Sequence, residues 1–247
     1  MRATLICMIA LAIACNLDAQ TIINKSVPVS SGQQVILHFD YPELVRVSTW
    51  EKDEISIHCS VSINQGENDT AFQLLTSTAG NVVSIRNEIK DLNKLPHRIT
   101  VVDGAERITF KDRAELKKYQ QEKGRGSFNM VSNGVDMDIV IEVKVPRNVL
   151  TTVESVYGMV EVKDFSGPLT VDATYGGVDA TLIERAAGEV TAETNYGEIY
   201  TNLESKFGGS TISEDFHTLV KAKPGNGPKY TFESTYGNVY IRKGDSK

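Results

Sequence analysis

A Tyr-Gly dipeptide keeps returning through the second half of the chain, at Tyr157-Gly158, Tyr175-Gly176, Tyr196-Gly197 and Tyr236-Gly237. Successive tyrosines are 18, 21 and 40 residues apart, and the last step holds two periods, with a degenerate copy at Phe216-His217 midway. A regular period near twenty residues marks a repeat architecture in which each unit is one coil. A lone coil cannot bury its own apolar face, so it stacks on its neighbours.

The parity of the repeat says what one coil does. Four and two places before the aromatic stand Val153 and Ser155, Val171 and Ala173, Ala192 and Thr194, Ile212 and Glu214, Phe232 and Ser234. Three and five places after it stand Val160 and Val162, Val178 and Ala180, Ile199 and Thr201, Leu219 and Lys221, Val239 and Ile241. Side chains on a strand alternate faces, so even offsets before and odd offsets after cannot share one straight strand. A corner is expected at each pair. There Tyr157, Tyr175, Tyr196, Phe216 and Tyr236 would stack as a ladder, and Gly158, Gly176, Gly197 and Gly237 would supply positive φ without steric cost. The expected fold is all-β: a β-solenoid, akin to a single-stranded β-helix, with two short strands per coil. Five coils over residues 151–241 would rise roughly 24 Å at ~4.8 Å per strand.

Residues 1–19 read as a signal peptide. Arg2 is the positive start, Leu5 to Ala14 is an apolar run too short to span a bilayer, and cleavage is expected before Gln20. Ala12-Ile13-Ala14-Cys15 loosely resembles a lipobox, so a lipid anchor at Cys15 is the alternative. The protein is expected to be exported, with no transmembrane segment in the mature chain. Cys59 would then stand alone and could form no internal disulfide. A net charge of −6 argues against nucleic acid as a partner.

Residues 20–150 read as an N-terminal β region. Val35, Leu37 and Phe39 alternate with polar residues, as do Ile55, Ile57, Cys59, Val61 and Ile63, and then Ile139, Ile141, Val143 and Val145. Cys59 on the apolar parity reads as a small core residue. One short surface helix is expected over 112–123, with Asp112 as N-cap, Glu115 three residues on and Gly124 at its end. Residues 242–247 form a charged tail.

The search for chemistry gives little. His38, His58, His97 and His217 lack metal-ligand spacing, and His38 and His58 fall on the wet parity of their strands. Asp136 and Asp138 are read as a polar strand edge after an Asn133-Gly134 turn. Asp69-Thr70-Ala71 resembles a short O-glycosylation acceptor in an expected loop. Glu154, Asp172, Glu193, Ser213 and Glu233 precede each corner aromatic by three residues, on the outward parity. Stacked coils would align the four carboxylates in a column, which either keeps the surface soluble or collects divalent cations. No catalytic residue and no cofactor is assigned.

The exported start, the stretch Val47-Ser48-Thr49-Trp50-Glu51-Lys52-Asp53-Glu54-Ile55, the run Ile141-Glu142-Val143-Lys144-Val145-Pro146 and the Ser-x-Tyr-Gly-x-Val repeat resemble the bacterial putative-adhesin family. That resemblance implies an exported β-solenoid domain of unknown function with no assigned catalytic residues. It points to a non-enzymatic envelope protein in the periplasm or on the outer surface of a Gram-negative bacterium. Its solenoid wall would bind a protein, glycan or surface. The competing class is a polysaccharide-active β-helix enzyme, which needs a carboxylate-lined groove with calcium and a basic residue.

Overall fold

The computed structural model describes residues 20–104, 106–124, 126–207, 212–214 and 216–245. The expected leader and Cys15 lie outside them. Alternating sequence becomes strands almost throughout. The first ten are β1 (Thr21–Pro28), β2 (Gln34–Phe39), β3 (Leu44–Trp50), β4 (Glu54–Ile63), β5 (Phe72–Ala79), β6 (Val82–Ile89), β7 (Arg98–Asp103), β8 (Glu106–Phe110), β9 (Met130–Gly134) and β10 (Met137–Pro146). The repeats then supply β11 (Thr151–Ser155), β12 (Met159–Val162), β13 (Leu169–Ala173), β14 (Val178–Leu182), β15 (Glu189–Thr194) and β16 (Ile199–Thr201). The last four are β17 (Ile212–Glu214), β18 (His217–Ala222), β19 (Lys229–Ser234) and β20 (Val239–Lys243).

Two large sheets form the body. One runs β1-β4-β10-β3-β12-β14-β20-β16 and the other β17-β18-β15-β19-β13-β11-β2-β6-β5. Both are mixed, with parallel pairing through the repeats and antiparallel pairing at one end of the first sheet and at both ends of the second. Each of the four Tyr-Gly repeats gives one strand to each sheet. Inward side chains form continuous rungs: Ile85, Leu37, Val153, Val171, Phe232 and Ala192 lie in register on one sheet. Val45, Val160, Val178, Val239 and Ile199 do so on the other. All but Ile199 are buried. Burying each such valine, leucine or phenylalanine stabilises the fold by ~1.5–3 kcal/mol, so the rungs hold the sheets together.

The repeats do not stack in chain order. The last repeat, β19–β20, sits between β13–β14 and β15–β16. The expected fourth coil is also corrected: β17 and β18 form an antiparallel hairpin, and β18 runs antiparallel to β15 at the sheet end. Apolar content explains both departures. Phe232, Val239 and Ile241 are fully buried, as an interior coil requires, whereas Lys221 is exposed on β18, next to the edge strand β17. Nor is the region before residue 150 separate from the stack, because β2 and β3 pair directly with β11 and β12 and act as its first coil.

A small sheet, β8-β7-β9, stands apart and buries Ile99, Val101 and Phe110 against Leu116, Tyr119 and Phe128. Its cover is α1 (Arg113–Lys123), where the Asp112 carboxylate accepts hydrogen bonds from the backbone N–H groups of Ala114 and Glu115. Gly124 ends the helix at φ 64°. The Asn133-Gly134 turn does not form; both residues pair with β7, and Asp136 meets Arg107 at 2.6 Å. Cys59 is fully buried, and burial pushes its thiol pKa up to about 12, which leaves it unreactive.

Candidate aromatic and acidic surface

Each corner is built by close backbone approach, which corrects the expected role of its glycines. None of Gly158, Gly176, Gly197 and Gly237 has positive φ. A Cβ on Gly176 would instead lie 2.0 Å from the Gly158 carbonyl oxygen, and one on Gly237 would lie 2.2 Å from that of Gly176. Stacked corners touch through their main chains, and any side chain would separate them. At three of the four corners a hydroxyl two places before the tyrosine completes the turn, and at Tyr175 this place is Ala173. Ser155 Oγ donates to its own corner carbonyl at Gly158, 3.0 Å away. Thr194 and Ser234 donate across to the next corner, at Gly237 and Gly176.

With the main chains this close, the rings align. Tyr41, Tyr157, Tyr175, Tyr236, Tyr196 and Phe216 form one ladder, with centroids 6.0, 5.2, 5.1, 5.1 and 6.0 Å apart in that order. Tyr41 was not anticipated. It lacks a following glycine, having Pro42 instead, and so falls outside the Tyr-Gly pattern. The four tyrosines of the intact repeats are 51–61% exposed and Phe216 is 78% exposed. The ladder is a surface feature.

Because the strand repeat (~4.8 Å) exceeds carbon contact distance (~3.5–4.0 Å), stacked rings can touch only by leaning over one another. The result is the offset arrangement that aromatic pairs prefer. Even so stacked, each tyrosine of the intact repeats keeps more than half of its surface open to solvent. Thr174, Thr235 and Asn195 immediately precede their ladder tyrosines in the chain.

Two residues further back lies the acidic column. Glu154 is in register with Asp172, Asp172 with Glu233, and Glu233 with Glu193. The inserted last repeat therefore puts Glu233 third rather than fourth. Ser213, expected in this column, lies on β17, which among the described residues pairs with β18 rather than with the column's strands. The histidines are at the ends: His38 Nδ1 is 2.7 Å from Glu154 and its Nε2 2.9 Å from Asp40, while His217 Nε2 is 2.8 Å from Glu193. Burial disfavours the charged His38 ring, but hydrogen bonds and charges from Glu154 and Asp40 outweigh it, and its pKa is raised. Burial, with the neighbouring Glu154 charge, raises the Asp172 pKa; burial, Glu193 and Asp172 raise that of Glu233. Neither Asp172 nor Glu233 has an ion-pair partner among the described residues, and no group of three or more His, Cys, Asp or Glu there is arranged to hold a metal ion.

The opposite wall balances its charge. Arg46 meets Glu142 at 2.7 Å and Glu161 at 2.9 Å, and Arg242 grips Asp179 at 2.7 and 2.9 Å while lying over Tyr240. Tyr240 in turn stacks on Tyr200, 5.1 Å away. Elsewhere, Thr70 is exposed, but Asp69 is buried and accepts a hydrogen bond from the Ile63 N–H at 2.6 Å, so this triplet is a 3-10 turn tied into the body. No helix among the described residues is long and apolar enough to cross a membrane.

No family model matches the chain, and no curated protein matches it. Among solved structures it is similar to a protein from Clostridium sporogenes described as a putative cell adhesion protein. The two are 10% identical, with a TM-score of 0.45 over 91% of this chain and 100% of the other. A protein from Bacteroides fragilis described as a putative adhesin is also 10% identical, with a TM-score of 0.21 over 92% of this chain and 98% of that one.

Proposed function

We propose that this chain is an exported, non-enzymatic protein of the cell envelope that acts as an adhesin-like contact module, in the periplasm or on the outer surface of a Gram-negative bacterium. Its repeats act as a short β-solenoid whose wall presents the binding surface to a protein, glycan or surface of the envelope. One observation carries this reading: a continuous row of six aromatic rings lies along one corner with more than half of each intact-repeat tyrosine open to water. Exposed apolar surface on this scale opposes solubility unless a partner covers it. A purely structural ladder would be expected to bury its rings.

The test is co-sedimentation of purified residues 20–247 with envelope fractions of the source bacterium. Wild-type chain is expected in the pellet, and a Tyr175→Ser, Tyr236→Ser double variant in the supernatant. Equal retention of both, with both shown folded by circular dichroism, would remove the ladder from the contact.

A further inference from the structure

We infer that the ladder is a binding track for one extended, neutral polysaccharide of β-linked pyranose units, with one sugar on each ring. The inference rests on the contact-surface reading above and specifies its ligand class. Three features point to this chemistry.

The first is spacing. The ladder repeats every 5.1–5.2 Å through Tyr157, Tyr175, Tyr236 and Tyr196. An extended β-1,4-linked sugar chain advances by about one such repeat per unit. A peptide strand does not, because its side chains on one face recur every ~6.6–6.8 Å. The second is the open surface of the rings. Equatorially substituted pyranoses carry an apolar C–H face and a rim of hydroxyls. Tyrosines that are 51–61% exposed offer ring surface for the first and phenol hydroxyls for the second, while Thr174, Thr235 and Asn195, each next to a ladder tyrosine in the chain, carry hydrogen-bonding side chains.

Charge is the third. Glu154, Asp172, Glu233 and Glu193 run parallel to the ladder, three residues from it along each strand, or ~10 Å of extended chain. That is slightly beyond the Debye length of ~8 Å at physiological salt, so the column repels an anionic polymer weakly there and more strongly at low salt. Uronic-acid polymers, phosphorylated glycans and nucleic acids are therefore disfavoured, and neutral chains are not. Steps of 5.1–6.0 Å between the six rings make a track of about 27 Å, so affinity should grow with oligosaccharide length and level off near six sugars.

The test is calorimetric titration of residues 20–247 with cello- and chito-oligosaccharides of two to eight units, with maltohexaose and oligogalacturonate as α-linked and anionic controls. The expected result is binding that strengthens several-fold per sugar up to about six, is at least tenfold weaker for both controls, and falls at least tenfold in Tyr236→Ala. Should that variant unfold, Thr174→Val with Thr235→Val keeps every ring and should still weaken hexaose binding several-fold. Any of four results overturns the inference: no hexaose binding at millimolar concentration, equal binding of the controls, affinity independent of length, or ladder-dependent dimers that bind no oligosaccharide. If the chain still pellets with envelopes through its ladder but binds no hexaose, the ligand class is wrong and the contact surface stands; if it does neither, both fail.

Discussion

Gly176→Ala tests whether coil-to-coil backbone contact builds the corners. The new Cβ would lie 2.0 Å from the Gly158 carbonyl oxygen and 2.4 Å from its carbon, against a floor near 3.0 Å for real Cβ contacts. Two coils would have to separate locally by about 1 Å, and the obstacle is main chain, which cannot rotate aside as a side chain would. Overpacking of this kind costs ~1–3 kcal/mol or more. Removing a glycine from the unfolded chain offsets ~0.4–1 kcal/mol of that, leaving a net loss of about 2 kcal/mol. For a chain of this size each kcal/mol shifts Tm by ~2–4 °C, so calorimetry should show a fall of about 4–8 °C. Gly126→Ala is the matched control, since no atom lies within 4 Å of its Cβ position and its φ is not positive. There only the unfolded-state term acts, and Tm should stay level or rise by a degree or two. Equal shifts in the two variants would refute the close-approach account.

Tyr175→Ala removes two ring stacks, worth ~0.5–1.5 kcal/mol each, so a loss of about 2 kcal/mol is expected in urea unfolding, less than the ~3–5 kcal/mol of a fully buried aromatic. Asp172→Asn with Glu233→Gln should raise stability at pH 7 by up to about 1 kcal/mol, because like charges opposite one another on adjacent strands are relieved. Both native pKa values are raised, so the cost is absent below the ordinary carboxylate range near ~4 and complete once pH exceeds the raised values. Thermal melts of parent and variant should therefore converge at pH 3.5, and a gap that persists there would contradict the charge argument. Asp112→Ala leaves two N–H groups of α1 unpaired, at ~1 kcal/mol of helix stability. Since α1 buries no residue fully, hydrogen exchange should quicken over 113–117 while the global Tm barely moves.

Local rules made much of this molecule legible in its sequence. The period-two alternation identified β2, β4 and β10 but not β1, β5 or β6, the offsets around each Tyr-Gly pair placed the corners, and Asp112 with Gly124 bracketed the helix. The acidic residues at the third position before each corner were also visible, because parity alone decides which face a strand residue takes. The order of the stack was not. Parallel pairing between repeats of equal length is nearly degenerate, so any repeat could lie beside any other on pattern alone. What decides is which coil is apolar enough for the interior and which polar enough for an edge, and that comparison exists only once both sheets are assembled. The same assembly explains the glycines, whose missing Cβ makes room for a neighbouring coil rather than for an unusual φ. It also explains the ladder's exposure and the placing of His38 and His217 at the two ends of the carboxylate column. Those are contacts between residues 24–116 positions apart, fixed by stacking and invisible to any local pattern.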